Sequence, residues 1–307
     1  MKNKTLISVT GPTAIGKTKL AIALANHYNT EIISADSRQF FKEMSIGTAV
    51  PTTSELTQAK HHFIQHKSIL ETYTVGDFER DALQLTEALF KTYDVVVMVG
   101  GSGLYVNAVT EGLNEFPSVS PNIRLKLNSD LENKGLHHLQ ETLNELDPEY
   151  FSKVDIHNPQ RVIRALEICI GSGQPYSSFI NKPKKKRNFN VITVGLKADR
   201  EIIYNRINER VDLMIKEGLL PEAEALVPYK SYNALQTVGY KELFKYFEGE
   251  WTLNFAIDEI KKNTRRFAKR QLTWFLKNNN THWFNYDEKL ETIFHKIDDE
   301  LANLTHE

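Results

Sequence analysis

Residues 11–18 read Gly11-Pro12-Thr13-Ala14-Ile15-Gly16-Lys17-Thr18, the G-x-x-x-x-G-K-[ST] spacing of a loop that holds a di- or triphosphate. The glycines let the backbone bend tightly, so that successive N–H groups point inward at an anion. Lys17 is placed to reach phosphate oxygens, and the Thr18 hydroxyl to hold a Mg²⁺ that bridges them. The flanks agree with the motif. Leu6-Ile7-Ser8-Val9 is a short apolar run of strand character, and Leu20, Leu24 and Tyr28 recur at near-helical spacing. The loop therefore opens a helix, whose N-terminal end adds partial positive charge. The motif alone leaves open whether the phosphates belong to ATP.

A second chemical group follows the next apolar run, in Ser34-Ala35-Asp36-Ser37-Arg38-Gln39. Ligands of doubly wound sheets sit at the carboxyl ends of the strands, so Asp36 faces the phosphate site. A carboxylate there can take a proton from an incoming nucleophile. An aspartate capping the next helix would occupy the same place, and position alone does not separate the two. The third run, Val95–Val99, ends in Gly100-Gly101-Ser102-Gly103 instead of the acidic residue with which an ATPase of this type holds Mg²⁺. That turn offers N–H groups and the Ser102 hydroxyl. No Asn-Lys-x-Asp guanine-reading motif is present, which weakens an ordinary ATPase or GTPase assignment.

Three groups of cations remain. Arg161 and Arg164 lie three apart beside Gln160, with Val162, Leu166 and Cys169 opposed to them. Such a face suits phosphates or a base edge, or is simply solvated. Arg206 and Arg210 follow the fourth strand on a helix, where they could close over a leaving phosphate. Lys261, Lys262, Arg265, Arg266, Lys269 and Arg270 cluster without an intervening acid, and their helix suits a nucleic-acid backbone. Lys262 and Arg266 are its candidate RNA contacts. The adjacent His61 and His62 are not spaced for a helical metal site and read as structural.

Strand–helix alternation argues for an α/β fold, a parallel sheet flanked by helices, with strands at Leu6–Val9, Ile32–Ser34, Val95–Val99 and Val191–Leu196. Phe78, Ala82, Leu85 and Leu89 mark one intervening helix. Between the third and fourth strands the character changes. Ile123, Leu127 and Leu131, then Leu136, Leu139, Leu143 and Leu146, are helix-spaced, and another helix runs from Arg161 to Ile170. Residues 114–188, including a charged Lys182–Arg187 loop, are read as a helical insertion into a domain made of 1–113 and 189–307.

Bulk composition narrows the class. The 41% hydrophobic and 25% charged content is that of a soluble globular protein, and no apolar run reaches the length of a membrane span. Met1-Lys2-Asn3-Lys4 leads straight to the first strand, leaving no room for a signal peptide. A lone cysteine, Cys169, forbids an internal disulfide, which fits a reducing cytoplasm. With a net charge of −1, nucleic-acid binding must come from local patches.

Taken together the motifs resemble the tRNA dimethylallyltransferases, the isopentenyltransferase family that prenylates an adenosine beside the anticodon. The segments that carry the likeness are GPTAIGKT (11–18), SADSRQ (34–39), IGTAVP (46–51), VGGSGLY (99–105), NPQRVIRALEI (158–168), RINERVDLMIKEGL (206–219), VGYKEL (238–243) and TRRFAKRQLTWF (264–275). They span nearly the whole chain in order. Ser102 replaces a more usual threonine, Val50 stands where lysine is common, Gln65 where an aspartate usually follows the paired histidines, and Phe40-Phe41 where an aliphatic–tyrosine pair is usual.

The resemblance implies a P-loop NTPase-like fold with an α-helical insertion. It implies transfer of a dimethylallyl group from dimethylallyl diphosphate to adenosine-37 of tRNAs that read codons beginning with uridine. Gly11 to Thr18 would hold the donor with Mg²⁺ at Thr18, with ATP as a further occupant. Asp36 would be the general base. Asp36, Ser37, Arg38, Gln39, Ser102, Arg124, Gln160, Arg161, Val162, Ile163 and Arg164 would touch tRNA. The implied partners are dimethylallyl diphosphate and the tRNA anticodon stem-loop, for a cytoplasmic monomer without a membrane partner. A P-loop nucleoside or small-molecule kinase is the alternative.

Overall fold

In the computed structural model, which describes residues 4–180, 182 and 185–304, the chain divides into two compact units, residues 1–110 with 187–307, and residues 111–186. Met1–Asn3 ahead of the first strand, and Pro183 and Lys184 of the charged loop, lie outside the described residues.

The first unit is built on a six-stranded sheet. Its strands are β1 (Thr5–Thr10), β2 (Ile32–Ser34), β3 (His61–His62), β4 (Val95–Val99), β5 (Asn190–Lys197) and β6 (Thr281–Asn285). Their order is β3-β2-β4-β1-β5-β6, and every pairing is parallel. Four strands match the apolar runs read from sequence. β3 and β6 do not: β3 is two histidines long, and β6 is an edge strand whose Thr-His-Trp-Phe-Asn sequence has no clean alternation. The stretch after β5 is thus helical except for β6.

Both faces of the sheet are covered, as parallel sheets require. Leu6, Val96 and Met98 join one core, while Ile7, Val9, Val97, Val99 and Val194 join the other. The two-residue alternation of strand side chains makes that division. The Lys17–His27 helix sends Leu20, Ala21 and Leu24 into the second core, and the Val75–Leu89 helix sends Phe78 and Ala82 into the first. Since the strands all run one way, the segments after β1, β2, β4 and β5 emerge at one edge of the sheet.

The second unit pairs two helices, Pro121–Leu146 and Pro159–Ser172. Asn158 starts the latter by accepting the N–H groups of Gln160 and Arg161, at 3.1 and 3.3 Å, with Pro159 in the first turn. Gly173 ends it in a left-handed conformation. The former is interrupted at Gly135, so the two leucine runs belong to two helical pieces in series. Leu127, Leu139, Leu143, Val162, Ile163 and Leu166 make this unit's own core.

Candidate active site

The phosphate-binding loop leaves the end of β1 and delivers Lys17 to the first turn of its helix. Gly11 has φ of 142°, and a Cβ there would lie 2.7 Å from the Leu196 carbonyl oxygen, so only glycine lets the loop pass β5 this closely. The Lys17 ammonium donates to the Pro12 carbonyl at 2.7 Å. Burial pushes Lys17 down to about 8; Asp36 opposes that shift and Arg210 adds to it. An anion beside a buried cation favours its charged form.

Arg206 and Arg210, from the Arg200–Glu217 helix after β5, close over this loop. Arg206 Nε donates to the Ala14 carbonyl at 2.7 Å, and Arg210 Nη1 to the Thr13 hydroxyl at 3.3 Å. Burial lowers the Arg210 pKa, while Asp36 raises it. Lys17, Arg210 and the loop residues Thr13 to Thr18 therefore line one cavity. Thr18 faces the same cavity. Among the described residues no cluster of His, Cys, Asp or Glu is built to cage a metal. A Mg²⁺ here fits the site if its ligands are the Thr18 hydroxyl and the anion's own oxygens, the usual division for this ion.

Asp36 follows β2. Its Oδ1 accepts the Arg38 N–H at 3.0 Å, and its carbonyl accepts the Gln39 N–H at 3.1 Å. Asp36 closes a turn and caps no helix. That turn holds Oδ1 of the carboxylate. Ser102, from the turn after β4, reaches across. Its Oγ accepts the Ser37 N–H at 3.1 Å and lies 3.0 Å from Ser37 Oγ.

Two cavities meet at Asp36. One, of about 870 Å³, is lined by Lys17, Thr18, Gln39, Thr48, Arg206 and Arg210. The other, of about 860 Å³, is lined by Ser37, Ser102, Tyr105, Phe267, Arg270 and Trp274. Thr13, Ala14, Asp36, Thr48, Gly101, Arg210 and Met214 belong to both. Asp36 thus lies where the cavity of the phosphate loop meets an aromatic, partly apolar chamber, with Thr13 and Ala14 of the loop on the shared wall.

Two residues hold this arrangement that the motifs did not single out as site residues. Gln271 Oε1 accepts the Thr13 N–H at 2.8 Å while its Nε2 donates to the Gly101 carbonyl at 2.8 Å, tying the phosphate loop to the turn after β4. Glu222 accepts the N–H groups of Ser45, Ile46 and Gly47 at 3.1, 2.8 and 2.9 Å, and the Tyr240 hydroxyl at 2.6 Å. It pins the loop that brings Thr48 to both cavities. The signal for Gln271 was its place in the TRRFAKRQLTWF segment; for Glu222 no local pattern existed.

Other predicted residues take varied positions. Arg38 Nη1 donates to the carbonyls of Asn233 and Ala234, both at 2.9 Å, and Gln39 Nε2 to those of Thr48 and Ala49, at 3.3 and 2.8 Å. Gln65, at an unusual positive φ of 47°, donates to Ser45 Oγ at 2.6 Å and so supports the same loop. His61 Nδ1 lies 2.8 Å from the Ala59 carbonyl and His62 Nε2 2.5 Å from Glu31. On the late helix, Leu253–Phe275, Lys261 pairs with Asp212 and Lys262 with Glu259, each at 2.6 Å, and Arg266 donates to Asn263 Oδ1 at 3.2 Å. The cations gathered by sequence are thus partly neutralised by acids that lie outside the cluster.

In the second unit, Arg124 and Arg164 share Glu167 Oε2, at 3.3 and 2.9 Å, and Arg164 also stands over the Phe116 ring. Gln160 and Arg161 are exposed beside them. Val162 and Ile163 require a correction. Both are fully buried in that unit's core, so packing, and not a side-chain contact to tRNA, is their part.

A G-x-x-x-x-G-K-T loop after β1 of an all-parallel sheet flanked by helices, with an aspartate after β2 beyond the intervening β4, is a P-loop-like α/β arrangement. The IPP transferase family model matches residues 39–279. The chain is 60% identical over 306 residues to the tRNA dimethylallyltransferase of Flavobacterium johnsoniae, covering 98% of this chain and 99% of that one. It is 60% identical over 296 residues to that of Christiangramia forsetii, covering 96% and 98%. Among solved structures, the full-length tRNA isopentenylpyrophosphate transferase of Bacillus halodurans superposes with a TM-score of 0.74 at 37% identity, covering 99% of this chain and all of that one. A eukaryotic dimethylallyltransferase acting on tRNA gives a TM-score of 0.79 at 26% identity, covering 92% of this chain and 74% of that one. The chain belongs to the IPP transferase family, the tRNA dimethylallyltransferases.

Proposed function

We propose that this protein transfers the dimethylallyl group of dimethylallyl diphosphate to the exocyclic amine of adenosine-37, in tRNAs reading codons that begin with uridine. The observation that carries the reading is the position of Asp36 on the wall shared by the phosphate cavity and the aromatic chamber. Donor and acceptor then enter through the two cavities and meet at one carboxylate.

The adenine amine is a weak nucleophile, because its lone pair is delocalised into the ring. Asp36 Oδ2 takes its proton as the carbon–nitrogen bond forms, and the allylic carbon–oxygen bond breaks with its electron pair going to diphosphate. Lys17, the loop amides, Arg206 and Arg210 stabilise the charge that gathers on the leaving group. The Thr18 hydroxyl would hold a Mg²⁺ together with the diphosphate oxygens, and that ion would supply further charge neutralisation. Ser102 fixes Ser37 and with it the Asp36 turn. ATP competes for the loop without acting as a donor. The adenosine reaches this chamber only when flipped from the anticodon loop. Gln160, Arg161, Arg164 and Arg124 of the second unit hold tRNA phosphates.

The reading is tested with labelled dimethylallyl diphosphate and unmodified tRNA. Label should pass to tRNA in a Mg²⁺-dependent reaction that releases diphosphate. Label remaining entirely in the donor would contradict it.

A further inference from the structure

Large aromatic side chains left in solvent on a cavity wall call for an explanation, since burying them is worth more than for any other class. On the Leu253–Phe275 helix, Phe267 and Trp274 lie two turns apart, 39% and 37% exposed, and both line the Asp36 chamber. Arg270, between them on the same wall, holds its guanidinium 5.7 Å from the centre of the Phe267 ring. The Lys277 ammonium stands 5.9 Å from that of Trp274. These two cations are set over rings, whereas Lys261 and Lys262, earlier on the helix, are set in ion pairs with acids.

Trp274 is also placed with care. A Cβ on Gly103 would lie 2.3 Å from its Cδ1 and 2.4 Å from its Nε1, so the indole rests directly on the backbone beside Ser102. One edge is thereby anchored to the turn that positions Asp36, and the rest faces the chamber.

Exposed rings alternating with cations, along a wall continuous with the reacting site, match single-stranded nucleic acid. Bases stack on the rings and phosphates meet the cations. An apolar protein partner would leave Arg270 and Lys277 buried without anions. We infer that Phe267, Arg270 and Trp274 form a stacking platform for unpaired anticodon-loop bases that flank the adenosine entering the chamber, with Trp274 taking the base nearest the reacting one. This rests on the tRNA prenyltransferase reading above.

The test uses the full chain and an anticodon stem-loop carrying 2-aminopurine next to the reacting adenosine. Binding to the wild type should quench the fluorophore by stacking. Trp274→Ala should weaken binding by about 10- to 100-fold, the range for one stacked base, and abolish the quench. The log–log salt slope should not change, because no phosphate contact is lost. Trp274→Phe should restore most of both, and the KM for dimethylallyl diphosphate should stay within about twofold by the same reasoning. Arg270→Ala should instead lower the slope by about one. If Trp274→Ala fails to fold, Phe267→Ala carries the same expectation for affinity. Wild-type affinity and quenching in a folded alanine variant, while the wild type prenylates tRNA, would overturn the platform alone. A wild type that neither binds nor prenylates the stem-loop would overturn the platform and the reading beneath it.

Discussion

Gln271 holds Thr13 by its backbone: the Thr13 N–H donates to Gln271 Oε1 at 2.8 Å, although the two residues lie 258 positions apart. The other end of the same amide donates to the Gly101 carbonyl. One buried side chain therefore ties the Gly11–Thr18 loop to the turn after β4.

Replacing it by a side chain of similar size without polar atoms should loosen both ends. Gln271→Leu leaves the Thr13 N–H and the Gly101 carbonyl unpaired, at about 1–3 kcal/mol for each buried group. Steady-state kinetics should show kcat/KM for dimethylallyl diphosphate falling at least about tenfold, with a lower Tm. A wild-type kcat/KM would return Gln271 to an ordinary packing role.

Asp36→Asn keeps the side-chain oxygen that closes the turn with Arg38 and removes the proton acceptor. Donor binding should persist while single-turnover prenylation drops by about two to four orders of magnitude, the usual share of a general base. Near-normal turnover would mean that the proton leaves by another route.

Lys17 gives the site a pH dependence. Its pKa near 8 in the unliganded protein must rise when a diphosphate arrives, so binding above that pH takes up a proton. The Lys17 contribution to affinity for dimethylallyl diphosphate should therefore be full well below pH 8 and weaken as pH rises through it, on top of the donor's own last ionisation at about pH 6. Calorimetry in buffers of different ionisation heat reads the proton uptake. Lys17→Arg, charged throughout, should lack this dependence. The same slope in both proteins would assign it elsewhere.

Arg161 lies exposed on the face of the Pro159–Ser172 helix that Gln160 shares. Arg161→Ala should raise the Kd for tRNA while leaving that for dimethylallyl diphosphate unchanged, since its unit contributes no residue to the phosphate cavity. Filter binding with tRNA and calorimetry with the donor separate the two. A change confined to the donor would move Arg161 to the phosphate site.

The framework of the candidate site was legible wherever it is local in sequence. The loop from Gly11 to Thr18 and its flanking strand and helix follow from spacing alone. Asp36 was placed by the strand-end rule, and its turn with Arg38 became visible only in three dimensions. β6 escaped because an edge strand needs only one neighbour and little burial, so its sequence keeps a mixed pattern. Gln271 and Glu222 act through partners far along the chain, which no window could link. The basic cluster carried a partial warning, since Glu259 sits three residues before Lys262 at a spacing that pairs them on a helix. Asp212, the partner of Lys261, gave none.

Mass spectrometry of nuclease-digested tRNA tests the central claim most directly. After incubation with dimethylallyl diphosphate and Mg²⁺, one adenosine beside the anticodon should be heavier by a single dimethylallyl unit, with diphosphate released in equal amount. Unmodified adenosine throughout, together with ADP formed from ATP on a small acceptor, would contradict the account and favour a kinase.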